Sequence, residues 1–232
     1  MIKQILLIVA FGLLFSITIC PPRDVSSMNG QAKSYNLLGE FAPTFYRILD
    51  ESAAEWNTGE QRTESLLTQS GELIERVTRS FKHQLDIEGS ARLRDGRIVN
   101  FDRKTADGWR YIVVENAPFG LGVDGYNLIP YRTIAVDPHI IRQGAIVYIP
   151  ALDGIKLPSG EVHDGFCLAH DIGQGIEGHR IDIFVGFEND VDNTLTRSGR
   201  IENMNPVEVY AVDEATSAHV EARFRKQFAR SQ

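Results

Sequence analysis

Short apolar stretches separated by turn residues dominate the chain from residue 109 onward. They are rich in Val, Ile, Phe and Tyr, and Gly, Pro and Asp stand between them, which is typical of strands joined by tight turns. The candidate strands are 110–115, 133–136, 145–150, 165–170, 180–187 and 207–212. This pattern predicts a mainly β protein, folded as a closed barrel or a sandwich.

The last residues have a helical period instead. Val220, Phe224 and Phe228 recur every fourth position within 213–230, and acidic residues come first and basic residues last. Because the helix dipole favours that order of charges, we predict a C-terminal helix.

The region before residue 85 is less regular. Ser70-Gly71 is a turn signal that could divide 66–77 into two strands, and 79–85 could form a helical turn. We therefore expect short peripheral helices around a β core.

The N-terminus has the pattern of an export segment. Met1-Ile2-Lys3 provides a short positive start, an apolar run covers residues 5–19, and two prolines follow Cys20. Residues 1–20 are predicted to be an export signal or a membrane anchor. Three outcomes stay open: ordinary cleavage, an uncleaved anchor, and lipid attachment to Cys20, although Ile19 is larger than the residue that normally precedes a lipidated cysteine.

The rest of the chain is predicted to form one domain. Residues 21–40 are rich in Ser, Asn, Gly and Pro, which predicts a linker, and 41–232 are predicted to form a single barrel domain with an N-terminal extension. Besides Cys20 there is only Cys167, inside an apolar stretch, which predicts a buried thiol and no disulfide framework.

Charge restricts the class of partner. The chain of 232 residues has a net charge of −7. Nucleic acid binding requires a basic face, so no nucleic acid partner is expected. A sugar polymer remains compatible, because it is bound through hydrogen bonds and apolar ring contacts.

Three aspartates at or inside apolar strands are the strongest candidates for chemistry. In the third segment Ile181 and Ile183 alternate with Asp182, so strand geometry places Asp182 on the opposite face from the aliphatic row. A carboxyl within a strand is costly unless it is paired or functional. The segments are 132–138 with Asp137, 169–178 with Asp171, and 179–186 with Asp182.

These segments also allow other interpretations. Aspartates beside Gly and Pro often cap turns, and for Asp137 this is as well supported as a catalytic role. Gly173, Gly175 and Gly178 match the spacing of a dinucleotide fingerprint, but a strand pattern follows where that motif needs a helix. Calcium or magnesium binding by the three carboxyls is the less favoured alternative, so no metal and no cofactor are expected.

Together the three segments resemble the three-aspartate (3D) domain family, which includes membrane-bound lytic transglycosylase A and smaller proteins of bacterial cell-wall remodelling. Members have sequences similar to Ala-Val-Asp-Pro, Asp-x-Gly-Gly-x-Ile-x-Gly and Arg-Ile-Asp-Ile-Phe, in this order and at this spacing. Gly144 and 147–149 fall at the intervening strand, and Glu88-Gly89-Ser90 resembles an upstream element. The resemblance covers 87–212, with departures at Gln174, where a glycine is usual, and Glu177, where a lysine is usual.

This resemblance implies a double-psi β-barrel and an exported enzyme of the cell envelope. The implied activity is that of a lytic transglycosylase, which cleaves the MurNAc–GlcNAc bond of peptidoglycan glycan strands and leaves anhydro-muramic acid ends. The implied acid/base is Asp182, with Asp171 and Asp137 beside it. A non-catalytic glycan-binding or wall-loosening module is the alternative, since related barrels bind polysaccharide without cutting it.

Overall fold

The structure is a computed structural model that describes residues 35–173 and 175–230, with side chains as far as Arg225. The strands are β1 (Tyr35–Tyr46), β2 (Leu49–Asp50), β3 (Glu64–Leu67), β4 (Leu73–Val77), β5 (Ser90–Arg92), β6 (Ile98–Thr105), β7 (Gly108–Val114), β8 (Thr133–Val136), β9 (Ile146–Tyr148), β10 (Phe166–Asp171), β11 (Arg180–Phe184) and β12 (Val207–Val212). The helices are α1 (Arg79–Glu88), α2 (Thr194–Arg197) and α3 (Glu214–Arg230).

Six of the strands close into a barrel in the order β1-β11-β8-β10-β9-β12. Strand β1 is parallel to β11 and β8 is parallel to β10, whereas the other neighbours are antiparallel. The predicted fold class is therefore confirmed: a mainly β chain with a double-psi barrel, short peripheral helices and a C-terminal helix.

The barrel interior is filled by the aliphatic rows that the sequence alternation predicts. Ile181, Ile183 and Val185 are fully buried in its core, together with Ile134 and the thiol of Cys167. The predicted burial of Cys167 is thus confirmed. Because successive strand residues point to opposite faces, Asp182 lies on the outer face of β11.

A second group of elements has its own core beside the barrel. It contains the sheet β2-β5-β6-β7, the hairpin β3-β4 and helix α1, and its buried side chains include Leu66, Phe81, Leu85 and Tyr111. We call this group the second lobe. The region expected as an N-terminal extension is therefore a packed substructure, and its hairpin turns at the predicted Ser70-Gly71.

A shared apolar cluster holds the second lobe against the barrel. Ile98 of β6 packs with Ile48, Leu128 and the barrel residue Phe184. Burial of several large side chains at about 1.5–3 kcal/mol each makes this contact a substantial part of the stability.

The predicted linker is too long at its C-terminal end. Strand β1 begins at Tyr35 and pairs with β12, from Tyr35 opposite Val212 to Phe41 opposite Val207. Leu37 is exposed and Gly39 sits at a register shift, so local periodicity gave no strand signal there.

The export segment 1–20, Cys20 and the first part of the linker lie outside the described residues, as does Gln174. Within the part of the chain that is described, no helix is both long enough and apolar enough to cross a membrane.

The glycine-rich segment after Asp171 is a loop between β10 and β11. A strand and not a helix follows it, as expected from the sequence. A dinucleotide-binding site would need a helix N-terminus here to bind the pyrophosphate, and a strand follows instead.

Candidate active site

Strand β1 presents two hydroxyl side chains to two of the predicted aspartates. Thr44 is opposite Asp182 in the parallel pairing with β11, and its Oγ1 donates a hydrogen bond to Asp182 Oδ1 at 2.8 Å. Two residues further, on the same face, Tyr46 donates its hydroxyl to Asp171 Oδ2 at 2.8 Å. Phe45 points the other way into the barrel core.

Asp171 is largely buried at the end of β10. Its Oδ1 accepts the backbone N–H of Ile172 at 2.9 Å. Burial raises the pKa of Asp171, while the hydrogen bonds from Tyr46, Ile172 and the Val123 backbone lower it. A charged Asp171 thus has donors arranged around it, as a buried carboxylate requires.

Asp182 has the properties of a carboxyl that can hold a proton near neutral pH. Burial raises the pKa of Asp182 to about 6, and the negative charges of Glu88 and Asp171 add to the increase. The Thr44 hydrogen bond and the charge of Arg180 act in the opposite direction. Desolvation and like charges both disfavour the ionised form, so this carboxyl can start a reaction as an acid.

Asp137 has a different environment. It lies after β8, where one carboxylate oxygen accepts the His139 backbone N–H at 2.9 Å and the other accepts the Gly178 N–H at 2.8 Å. These hydrogen bonds lower the pKa of Asp137. Asp137 is therefore ionised at neutral pH and holds the loop that joins Asp171 to Asp182.

The three aspartates thus have separate surroundings. Asp171 and Asp182 are joined through β1 and interact electrostatically, whereas Asp137 is bound to the connecting loop. Among the described residues, no three His, Cys, Asp or Glu side chains are grouped so that they could hold a metal ion.

Replacing Asp137 tests its role in the loop. We expect Asp137→Ala to lower the free energy of unfolding, because two backbone donors lose a charged acceptor. Hydrogen exchange at the Gly178 amide should accelerate, while exchange in the β6–β7 hairpin should not change. Unaltered protection at Gly178 would show that this carboxylate does not hold the loop.

Sequence reasoning missed two of the side chains that surround the aspartates. Thr44 and Tyr46 lie in an early segment without a recognisable motif, and only the alternation around Phe45 marks it as a strand. In the sequence, Glu88 is marked only by an upstream resemblance that assigns it no role. Their importance depends on strand pairing across more than a hundred residues.

Comparison with known proteins agrees with the motif assignment. The 3D domain family model matches residues 132–209. No curated protein sequence matches the chain significantly.

Several solved structures are similar in fold at low sequence identity. The structure of E. coli MltA with bound chitohexaose is 14% identical, with a TM-score of 0.48, and the match covers 75% of this chain and 72% of that chain. A membrane-bound lytic murein transglycosylase from Agrobacterium tumefaciens is 14% identical, with a TM-score of 0.49 and coverage of 77% and 75%. The lytic transglycosylase LtgG of Burkholderia pseudomallei is 18% identical, with a TM-score of 0.38 and coverage of 75% and 71%.

The family match begins at Arg132, just before β8, and ends in β12, so it includes β8 to β12 and all three predicted aspartates. The predicted 3D domain is confirmed over residues 132–209, a segment that forms β8 to β11 and the first part of β12 in the barrel.

Proposed function

We propose that this protein is an exported peptidoglycan lytic transglycosylase, which cleaves the MurNAc–GlcNAc bond and leaves anhydro-muramic acid ends. The observation that carries the proposal is the environment of Asp182. This carboxyl is largely buried, is bound by one hydroxyl, and has a pKa raised to about 6. The 3D domain around it supports the same conclusion.

In the first step Asp182 acts as the general acid. Its proton passes to the glycosidic oxygen as the bond to the muramic acid anomeric carbon breaks, and the neighbouring sugar leaves with a free hydroxyl. The thermodynamic requirement is a carboxyl that is protonated in an appreciable fraction of molecules, which a free aspartate with a pKa of about 3.9 would not provide.

In the second step the same group acts as the base. The primary hydroxyl of the muramic acid attacks its own anomeric carbon, and the Asp182 carboxylate accepts the hydroxyl proton. One carboxyl is sufficient because the sugar supplies the nucleophile, whereas hydrolysis would need a second carboxyl for water.

The other two aspartates have supporting roles in this proposal. Ionised Asp171, oriented by Tyr46, adds negative charge that favours the acid form of Asp182 and stabilises positive charge developing on the sugar. Asp137 holds the connecting loop. Exposed Glu177 in that loop adds a negative charge where the family usually has a lysine.

The proposed partner is the glycan strand, met outside the cytoplasm. Residues 1–20 would direct export, and attachment to a membrane would use that segment or a lipid on Cys20. The net charge of −7 agrees with a sugar polymer and not with a nucleic acid.

Digestion of purified peptidoglycan tests this function. We expect mass spectrometry to find products with anhydro-muramic acid ends. Activity should fall as the pH rises through about 6, because the acid form of Asp182 is lost. Reducing ends made by water would indicate a hydrolase with Asp171 as the second carboxyl. Binding without cleavage would favour the wall-loosening alternative.

A further inference from the structure

We infer that Glu88, at the end of helix α1 in the second lobe, is a positioning residue whose negative charge keeps Asp182 in the acid form. The inference rests on the proposed function for its catalytic meaning. The second lobe then takes part in the chemistry at Asp182, in addition to packing against the barrel.

Hydrogen bonds place the Glu88 carboxylate at the end of β1. Its Oε2 accepts the backbone N–H of Arg47 at 3.2 Å, and its Oε1 accepts Gln84 Nε2 at 3.1 Å. Arg47 directly follows Tyr46, whose hydroxyl binds Asp171. Glu88 therefore lies beside the strand whose Thr44 and Tyr46 hydroxyls bind both aspartates.

A carboxylate at this position is unfavourable for the helix itself. Glu88 is the last residue of α1, which ends at Gly89 with φ of 80° and has no basic residue in its last turn. The helix dipole is negative at its C-terminus and destabilises an acidic side chain there. Burial also raises the pKa of Glu88. A residue that opposes both preferences is a candidate for a functional role.

The charges around Glu88 and Asp182 leave the Glu88 charge free to act on Asp182. Asp182 interacts with the like charges of Glu88 and Asp171 and with the opposite charge of Arg180. Arg180 also donates to the Gly175 carbonyl at 2.8 Å.

On its other side, Glu88 interacts with Arg47 and Asp190. The Arg47 guanidinium forms an ion pair with Glu55 at 3.0 Å, so its charge is shared between two carboxylates. The negative charge of ionised Glu88 therefore disfavours ionisation of Asp182.

The variant Glu88→Gln removes this charge and keeps an acceptor for the Arg47 N–H. We expect the limb of the kcat/KM profile that falls with rising pH to move to lower pH. At pH 5 activity should be close to wild type, and at pH 7.5 it should be reduced about tenfold for each pKa unit of that movement. A purely structural role would reduce activity equally at all pH values.

Two further variants complete the test. Glu88→Asp retains the charge and should recover part of the wild-type profile. Glu60→Gln is the matched control, because Glu60 binds the Arg79 and Ser80 backbone at the other end of α1, away from the aspartates. Its profile should keep the wild-type midpoint.

A readout independent of activity separates this inference from the proposed function. The Asp182 carboxyl can be titrated by carbon-13 NMR in the full-length protein and assigned by its absence in Asp182→Asn. Glu88→Gln should lower the Asp182 midpoint even if the protein cleaves no peptidoglycan. An unchanged midpoint would overturn the role of Glu88, whatever the activity of the protein.

Discussion

The variant Asp182→Asn is expected to abolish glycan strand cleavage in a protein that remains folded. Asparagine keeps the shape and an oxygen that can accept the Thr44 hydroxyl, but it cannot carry the proton. General acid–base catalysis contributes about 100- to 10,000-fold, so turnover of purified peptidoglycan should fall by that order. Glycan binding should persist, because only the proton transfer is removed.

The same variant should be more stable than the wild type at neutral pH. The pKa of Asp182 is about 6 in the folded state and lower in the unfolded state, so the folded state binds more protons between these two pKa values. The free energy of unfolding therefore decreases as the pH rises through that interval. Asparagine removes this unfavourable ionisation, which corresponds to at most about 3 kcal/mol. The Tm should rise by several degrees at pH 7.5 and change little at pH 4.

Asp192→Asn is the control for both measurements. Asp192 is 75% exposed and pairs only with surface Arg197 among the ion pairs of the described residues. Its replacement should leave cleavage and Tm near wild type. Full cleavage by Asp182→Asn would move the catalytic role to another residue, and a Tm unchanged at pH 7.5 would contradict the raised pKa.

The second large effect is expected at Asp164, where a charge cluster joins the barrel to α3. Its carboxylate forms ion pairs with Arg132 and, at 2.5 Å, with Arg223 of α3. The Arg132 side chain is only 8% exposed and also donates to the Phe166 carbonyl at 3.2 Å. Asp164→Ala leaves a buried guanidinium without its counter-ion, so the free energy of unfolding should fall by about 3–5 kcal/mol.

Urea unfolding of Asp164→Ala and Asp192→Ala measures this difference. Both variants break an Asp–Arg pair, but the Asp192 pair is on the surface and should contribute less than about 1 kcal/mol. Hydrogen exchange in α3 should accelerate only in Asp164→Ala. Similar losses in the two variants would show that burial of Arg132 does not strengthen the cluster.

The local pattern of apolar and polar residues was sufficient to predict strand β11 and the face of it on which Asp182 lies. Ile181, Ile183 and Val185 alternate with it, and the two-residue period of a strand is a local property of the backbone. The spacing of Gly, Pro and Asp between apolar segments similarly located β8 and β12. The motif order identified the 3D domain because its aspartates and glycines occupy set positions along the chain.

The tertiary structure decided what surrounds each aspartate. Thr44 reaches Asp182 only because β1 pairs with β11, far away in sequence. Asp137 proved to be the acceptor for Gly178, and Glu88 proved to accept the Arg47 amide at the end of β1, since loop closure and lobe packing determine both contacts. Protonation depends on burial and on charges contributed by several elements, so the sequence could nominate Asp182 but only the assembled barrel could raise its pKa.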